Sequence, residues 1–257
     1  MIEVNQAIEA QILSRSWFYH FRLPSGRVTD SYLPDETLKI HDTRETMLFQ
    51  VLDPEFEGRW DSVNCIDLAC HEGFFSTKLA LKGCKEVLGI DGRHEHIENA
   101  NLIRQAYGLQ NLRFAQGEIQ HLDPQALGKF DVTLLYGILY HLEDIVGALR
   151  LAYALTNKVC MIETQIAPNL SGLVDWGSYK YTKPIVGSFA IVDESDELAA
   201  GNREANLTPI TLLPSLPGLL WLLNAVGFAR AEVVVPPVDA YEQIATGKRV
   251  VVAAFID

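Results

Sequence analysis

Apolar runs and amphipathic stretches take turns along most of this chain. Ile66 and Leu68 sit in a short apolar run, and residues 74–81 repeat apolar side chains at helical spacing. The alternation continues, with strands predicted at 87–91, 112–116, 130–137 and 159–164 and helices predicted at 95–107 and 142–155. Strands that alternate with helices predict a parallel, doubly wound α/β sheet. A helix at 216–226, stopped by Gly227, precedes two further strands at 232–235 and 249–256.

Both flanks break this rhythm. Residues 1–60 predict a helical lead-in, because Ile8, Ile12 and Leu13 share one helical face. A second helix is predicted from Asp42 or Thr43 to about Leu52, with Thr43 as its N-cap. Between the two lie the aromatic cluster Trp17-Phe18-Tyr19-His20-Phe21 and the turn residues Leu23-Pro24-Ser25-Gly26-Arg27. Residues 165–213 are rich in Gly, Pro, Asp and aromatics, and an excursion of that length marks a substrate-binding insertion. The organisation that follows is a lid segment at 1–60 and one Rossmann-like domain at 61–257 that carries the insertion.

The turn after the first strand is the most specific chemical signal. Asp67 ends an apolar run, then Ala69-Cys70-His71-Glu72-Gly73 turns the chain into a helix. Ligands of open α/β sheets bind at such strand ends. A dinucleotide site needs Gly-x-Gly-x-x-Gly and an open helix N-terminus for its pyrophosphate. This turn instead offers Ala69, His71 and Phe74, with the Glu72 carboxylate beside the helix start. Such a turn disfavours phosphate and suits the cationic, phosphate-free S-adenosylmethionine over NAD.

Composition narrows the partners. The 257 residues carry a formal charge of −12, which weighs against a nucleic-acid partner, and no Lys/Arg run supplies a local footprint. The four cysteines, Cys65, Cys70, Cys84 and Cys160, form no C-x-x-C pair, so no zinc or other metal site is expected. They read as buried, reduced thiols of a cytoplasmic protein. The first residues lack the basic and apolar regions of a signal peptide, and the apolar run at 212–226 is too short and Pro-broken to span a membrane.

The order of strand, acid, turn and helix, a second acid at Asp91, and Gly117-Glu118 after the third strand resembles the class I S-adenosylmethionine-dependent methyltransferases. Their seven-stranded, mostly parallel sheet is the implied fold over residues 60–257. The stretches Trp17-Phe18-Tyr19-His20-Phe21-Arg22-Leu23-Pro24 and Tyr136-Gly137-Ile138-Leu139-Tyr140-His141 are similar to the branch that holds tRNA wobble-uridine carboxymethyl- and methoxy-forming enzymes. By that resemblance Asp67, Ala69, Cys70, His71 and Gly73 face the methionine part of the cofactor. Asp91 takes the ribose hydroxyls, Gly92 and Arg93 line the adenosine side, and Glu118 and Ile119 hold adenine. Tyr136 and Gly137 lie beneath the sulfonium, and Arg44 reaches the methionine carboxylate from the N-terminal helix. Family members carry glycine where this chain has Ala69 and His71, so either the turn is reshaped or His71 projects into the ligand space.

Each role has a plainer counterpart. Asp91 is a ribose ligand or a helix N-cap, Asp67 a ligand or a brace for the turn, and Glu118 a ligand or a solvated acid. His141, after the fourth strand, is either the general base for a hydroxyl acceptor or a histidine bonded to nearby backbone. Arg44 is a ligand or part of a solvated helix face, and Tyr140 is wall. Trp176, Tyr179 and Tyr181 either stack on an acceptor or form the insertion's own core. The resulting expectation is a methyltransferase acting on a small-molecule acceptor, oxygen favoured. Its alternatives are a tRNA wobble-uridine modifier and a non-catalytic S-adenosylmethionine-binding subunit.

Overall fold

In this computed structural model the described residues are 6–175, 182–195 and 210–256. The lead-in comprises α1 (Gln6–Leu13), the two-residue strands β1 (Ser16–Trp17) and β2 (Asp30–Ser31), and the long α2 (Asp35–Phe56). The alternating part then runs β3 (Asn64–Leu68), α3 (Phe74–Leu81), β4 (Glu86–Asp91), α4 (His94–Tyr107), β5 (Leu112–Gln116), α5 (Pro124–Leu127), β6 (Phe130–Tyr136), α6 (Ile145–Leu155) and β7 (Thr156–Gln165). Two hairpins follow, β8 (Gly172–Asp175) with β9 (Thr182–Ile185) and β10 (Phe189–Asp193) with β11 (Ile210–Pro214). The chain closes with α7 (Leu216–Val226), β12 (Arg230–Val233), α8 (Glu242–Ala245) and β13 (Arg249–Phe255).

One seven-stranded sheet has the order β12-β13-β7-β6-β3-β4-β5. Five neighbouring strands are parallel, and β13 inserts antiparallel between β7 and β12. The five inner strands are buried on both faces, as strands require when helices cover each side, while the edge strands β5 and β12 are largely exposed. On β6, Val132, Leu134 and Tyr136 join a core with Leu48, Leu52, Phe75 and Leu79, while Leu135 joins Leu149, Leu219, Leu223 and Phe228 on the other face. Gly227, at φ 126°, ends α7 as its sequence position implied.

Two of the predicted helices differ in their starts from the sequence expectation. Helix α2 starts seven residues before Asp42, with Asp35 and Glu36 placing carboxylates on its positive first turn. Thr43 lies inside it, and its Oγ1 accepts the Tyr241 N–H at 2.9 Å rather than capping a helix end. Helix α6 begins at Ile145, because residues 139–141 form a 3-10 turn and Asp144 caps the helix by accepting the Gly147 N–H at 2.7 Å. Asp144→Ala should therefore cost about 1 kcal/mol, seen as a melting temperature lower by about 2–4 °C.

The lead-in is fastened to the sheet. Trp17 is fully buried and donates its Nε1–H to the Ile12 carbonyl at 2.9 Å. Tyr19 stacks on Phe74, the first residue of α3, with ring centroids 4.8 Å apart and planes 8° from parallel. The Glu72 carboxylate accepts the backbone N–H of Phe18 at 3.0 Å and of Tyr19 at 3.4 Å. Residues 17–19 are thereby tied to the turn between β3 and α3.

Candidate functional site

A cavity of about 410 Å³ opens at the carboxyl ends of the parallel strands. Its walls come from Phe18 and Tyr19 of the lead-in, Arg44 of α2, the β3–α3 turn, the end of β4, the residues after β5 and the residues after β6. This volume lies within the range of small-molecule sites.

The turn keeps the backbone shape that glycine would adopt. Ala69 has φ 59°, His71 has φ 53° and Gly73 has φ 76°, three left-handed residues in alternate positions. The turn is therefore not reshaped at His71, and the strain of a non-glycine residue there is retained. Its imidazole lines the cavity, packed between Phe18 and the ring of His96, with centroids 4.9 and 3.7 Å away.

Asp91 closes β4 with both oxygens engaged. Oδ2 accepts the His71 N–H at 2.8 Å; Oδ1 accepts the Arg93 N–H at 2.9 Å and meets His96 Nδ1 at 3.0 Å. Burial alone would raise its pKa, but the His96 hydrogen bond and charge, with the Arg93 amide, outweigh it and hold the carboxyl below its ordinary value. Asp91 is thus an ionised acceptor facing the cavity. It does not act as the side-chain cap of α4, whose N-cap residue is Arg93.

The structure gathers eleven of the sequence-selected residues around this space: Arg44, Ala69, His71, Asp91, Gly92, Arg93, Glu118, Ile119, Tyr136, Gly137 and His141. Asp67, Cys70 and Gly73 are not among its lining residues. Asp67 is buried behind the turn, where Ser76 Oγ donates to its Oδ2 at 2.6 Å, so it braces the turn and does not line the cavity. The thiol of Cys70 is buried, and Gly73 is packed under Phe114, whose ring would sit 2.5 Å from an added Cβ. Glu72 does not line the cavity; it lies behind the wall, its carboxylate accepting the Phe18 and Tyr19 amides and standing 4.0 Å from His71 Nδ1. Trp176, Tyr179 and Tyr181 lie outside the described residues.

Below the end of β6 lies a buried charge cluster. Glu163 of β7, fully buried, meets Arg44 Nη2 at 2.6 Å and Arg249 Nη1 at 3.0 Å. Arg249 Nη1 also reaches the Tyr140 hydroxyl at 3.1 Å, and its Nε donates to Gln243 at 2.7 Å. Gly137, at φ 80°, lets the chain pass this cluster, since an added Cβ would stand 3.4 Å from Arg44 Nη2 and 3.5 Å from Glu163 Oε2. The Tyr136 hydroxyl is buried with no hydrogen-bond partner. Burial, reinforced by Glu163, raises its pKa well above the ordinary phenol value, so it stands as a neutral hydroxyl. Arg44 is consequently no solvated helix residue; it is 4% exposed and charge-paired.

His141 ends the 3-10 turn after β6, lines the cavity and packs against the Tyr140 ring with centroids 4.3 Å apart. Sequence reading passed over His96, Gln120, Ile138, Leu142 and Glu143 of the wall. His96 carried one available signal: it follows Asp91 by five residues, in the first turn of the helix that leaves the strand end.

The residues present fit S-adenosylmethionine better than a phosphate-bearing nucleotide. An ionised Asp91 suits a diol, the orphaned Tyr136 hydroxyl and the acids suit a cation, and of the two arginines on the described wall Arg44 is already paired with Glu163.

Residues 61–178 match the family model described as a methyltransferase domain. The tRNA U34 carboxymethyltransferase of Alteromonas mediterranea is 25% identical over 191 residues, covering 68% of this chain and 51% of that protein. The chain therefore spans about half the length of that relative. Among solved structures, the N-terminal domain of EvdMO1 with SAH bound superposes with a TM-score of 0.70 at 21% identity, covering 97% of this chain and 94% of that one. Magnesium protoporphyrin IX methyltransferase from Synechocystis PCC 6803 with bound SAH gives a TM-score of 0.58 at 15% identity, covering 89% and 90%. The sheet order and these superpositions identify the fold as the class I methyltransferase, Rossmann-like fold.

Proposed function

We propose, from the match of residues 61–178 to a methyltransferase domain, that the protein moves a methyl group from S-adenosylmethionine to a small-molecule acceptor. The observation that carries this reading is Asp91, ionised at a strand end and facing a cavity closed by a left-handed turn. When bound, the cofactor supplies an electrophilic methyl on a cationic sulfur.

The chain's own residues would do the rest. The backbone at Ala69 and His71 meets the amine and carboxylate of the methionine part, with Arg44 as the nearby cation. Asp91 receives ribose, Gly92 and Arg93 border the adenosine, and Ile119 with Glu118 holds adenine. Tyr136 and Gly137 form the floor at the end of β6. Asp67, Cys70 and Gly73 support the turn from behind. His141 takes the proton of a hydroxyl acceptor, which is why oxygen is the favoured nucleophile. Displacement at a methyl carbon depends mainly on alignment, so much of the rate would come from positioning. The lead-in at 1–60 acts as a lid, and the insertion at 165–213, with Trp176, Tyr179 and Tyr181, selects the acceptor.

A second reading, a tRNA acceptor, draws support from the curated relatives. Charge argues for the first. The net charge is −12, and the described cavity wall sets two arginines, Arg93 and the Glu163-paired Arg44, against three acids, Asp91, Glu118 and Glu143.

Titration calorimetry should find binding of S-adenosylhomocysteine and none of NAD; the reverse would overturn the assignment. His141→Ala should lower turnover by about a hundredfold with S-adenosylhomocysteine affinity unchanged. Unaltered turnover would remove His141 from the chemistry.

A further inference from the structure

Asp91 has too few acceptor positions left for two more hydroxyls. An ionised carboxylate offers about four lone-pair directions. Three are filled by the His71 and Arg93 amides and by His96 Nδ1. The place that remains is on Oδ2, which takes one bond while Oδ1 takes two. A vicinal diol brings two hydroxyls, so its second needs another partner.

His96 is built to be that partner. Its ring lines the cavity, its side chain is 12% exposed, and its Nδ1 is committed to Asp91. Its Nε2 has no protein partner among the described residues. The plane of the ring is set by the His71 imidazole, stacked on it with centroids 3.7 Å apart and planes 29° from parallel. Because Asp91 is ionised, Nδ1 must carry the proton between them. Nε2 then accepts a hydroxyl proton when the ring is neutral and donates to the hydroxyl oxygen when it is charged. A bond forms in either state.

We propose that His96 completes the nucleoside diol site, Asp91 Oδ2 meeting one ribose hydroxyl and His96 Nε2 the other. This rests on the S-adenosylmethionine reading above. His96 is thereby a specificity-determining residue that distinguishes a ribonucleoside from its deoxy analogues, and His71 is its positioning residue.

The test is calorimetry of S-adenosylhomocysteine and its 2′-deoxy and 3′-deoxy analogues against the wild-type chain, His96→Phe and His96→Gln. Each melting temperature is recorded first to confirm folding. Wild type should lose about tenfold in affinity for each deoxy analogue, the worth of one hydrogen bond. His96→Phe should weaken S-adenosylhomocysteine about tenfold and stop discriminating against one of the two analogues while still rejecting the other. His96→Gln, whose amide can bond both Asp91 and a hydroxyl, should recover part of the lost discrimination. Should His96→Phe bind S-adenosylhomocysteine as tightly as wild type, or tighter, with both deoxy penalties intact, His96 merely occupies Asp91 and the proposal fails alone. A wild-type chain that binds none of the three nucleosides takes the proposal down together with the cofactor reading.

Discussion

Replacing Glu163 with alanine is expected to cost about 3–5 kcal/mol of folding stability, the range for a buried ion pair that loses one partner. Two guanidiniums converge on this one carboxylate, and Arg44 and Arg249 are each less than a tenth exposed. Burial alone would disfavour the Arg249 charge, yet Glu163 and then Tyr140 outweigh it and hold the guanidinium protonated. Without the carboxylate, two like charges would remain in a water-poor space, Arg249 keeping its contacts to Tyr140 and Gln243 and Arg44 losing its ion-pair partner. Thermal denaturation of Glu163→Ala should show a melting temperature lower by roughly 10 °C for a domain of this size. A change below about 2 °C would mean that water already reaches the cluster. Glu163→Gln, which keeps shape and loses charge, should fall between the two.

Asp67→Asn should stabilise the protein at pH 8 and do little at pH 4. Burial pushes the Asp67 carboxyl up to about 7, against the opposing hydrogen bonds from Ser76. Its unfolded value lies near 3.9. Between those two values the folded chain holds a proton that the unfolded chain has released, so stability falls as pH rises through the window. Above about pH 7 the full penalty applies, about 3 units or roughly 4 kcal/mol. An asparagine carries no such charge, and its amide oxygen still accepts the Ser76 hydroxyl. Urea midpoints of both chains at pH 4 and pH 8 should therefore diverge only at the higher pH. Equal differences at both would show that Asp67 is ionised throughout.

The parts of the fold legible in the sequence are those governed by local periodicity. The strands β3, β4, β6 and β7 and the helices α3, α4 and α7 announce themselves because burial on both sheet faces favours apolar runs, and helices between them repeat every three to four residues; the edge strand β5 shows only a short alternation around Leu112 and Phe114. Helix α2 was harder, since Asp42 and Thr43 look like a boundary when the residues that make Thr43 useful, at Tyr241, are about two hundred positions away. The site divides the same way. Asp91, Gly92, Glu118, Tyr136 and Gly137 sit at strand ends, which topology alone assigns to one edge. The Glu163–Arg249 pairing depends on the β7–β13 register, which sets Val251 opposite Glu163 and Arg249 opposite Gln165, and no local pattern encodes that. A lone arginine opening an apolar strand was its faint signal. Asp67 is harder to place, because an acid beside a strand-end turn looks the same in sequence whether it faces the cavity or braces the turn from behind.

The tether between Glu72 and residues 18–19 has a practical consequence for where this chain can be cut. Phe18 and Tyr19 serve as one wall of the cavity, and Trp17, Phe21 and Leu23 roof the aromatic surface around Phe74. A shortened version starting at β3 would strip that roof, leave the buried Glu72 carboxylate without the Phe18 and Tyr19 amides and open the cavity to solvent on one side.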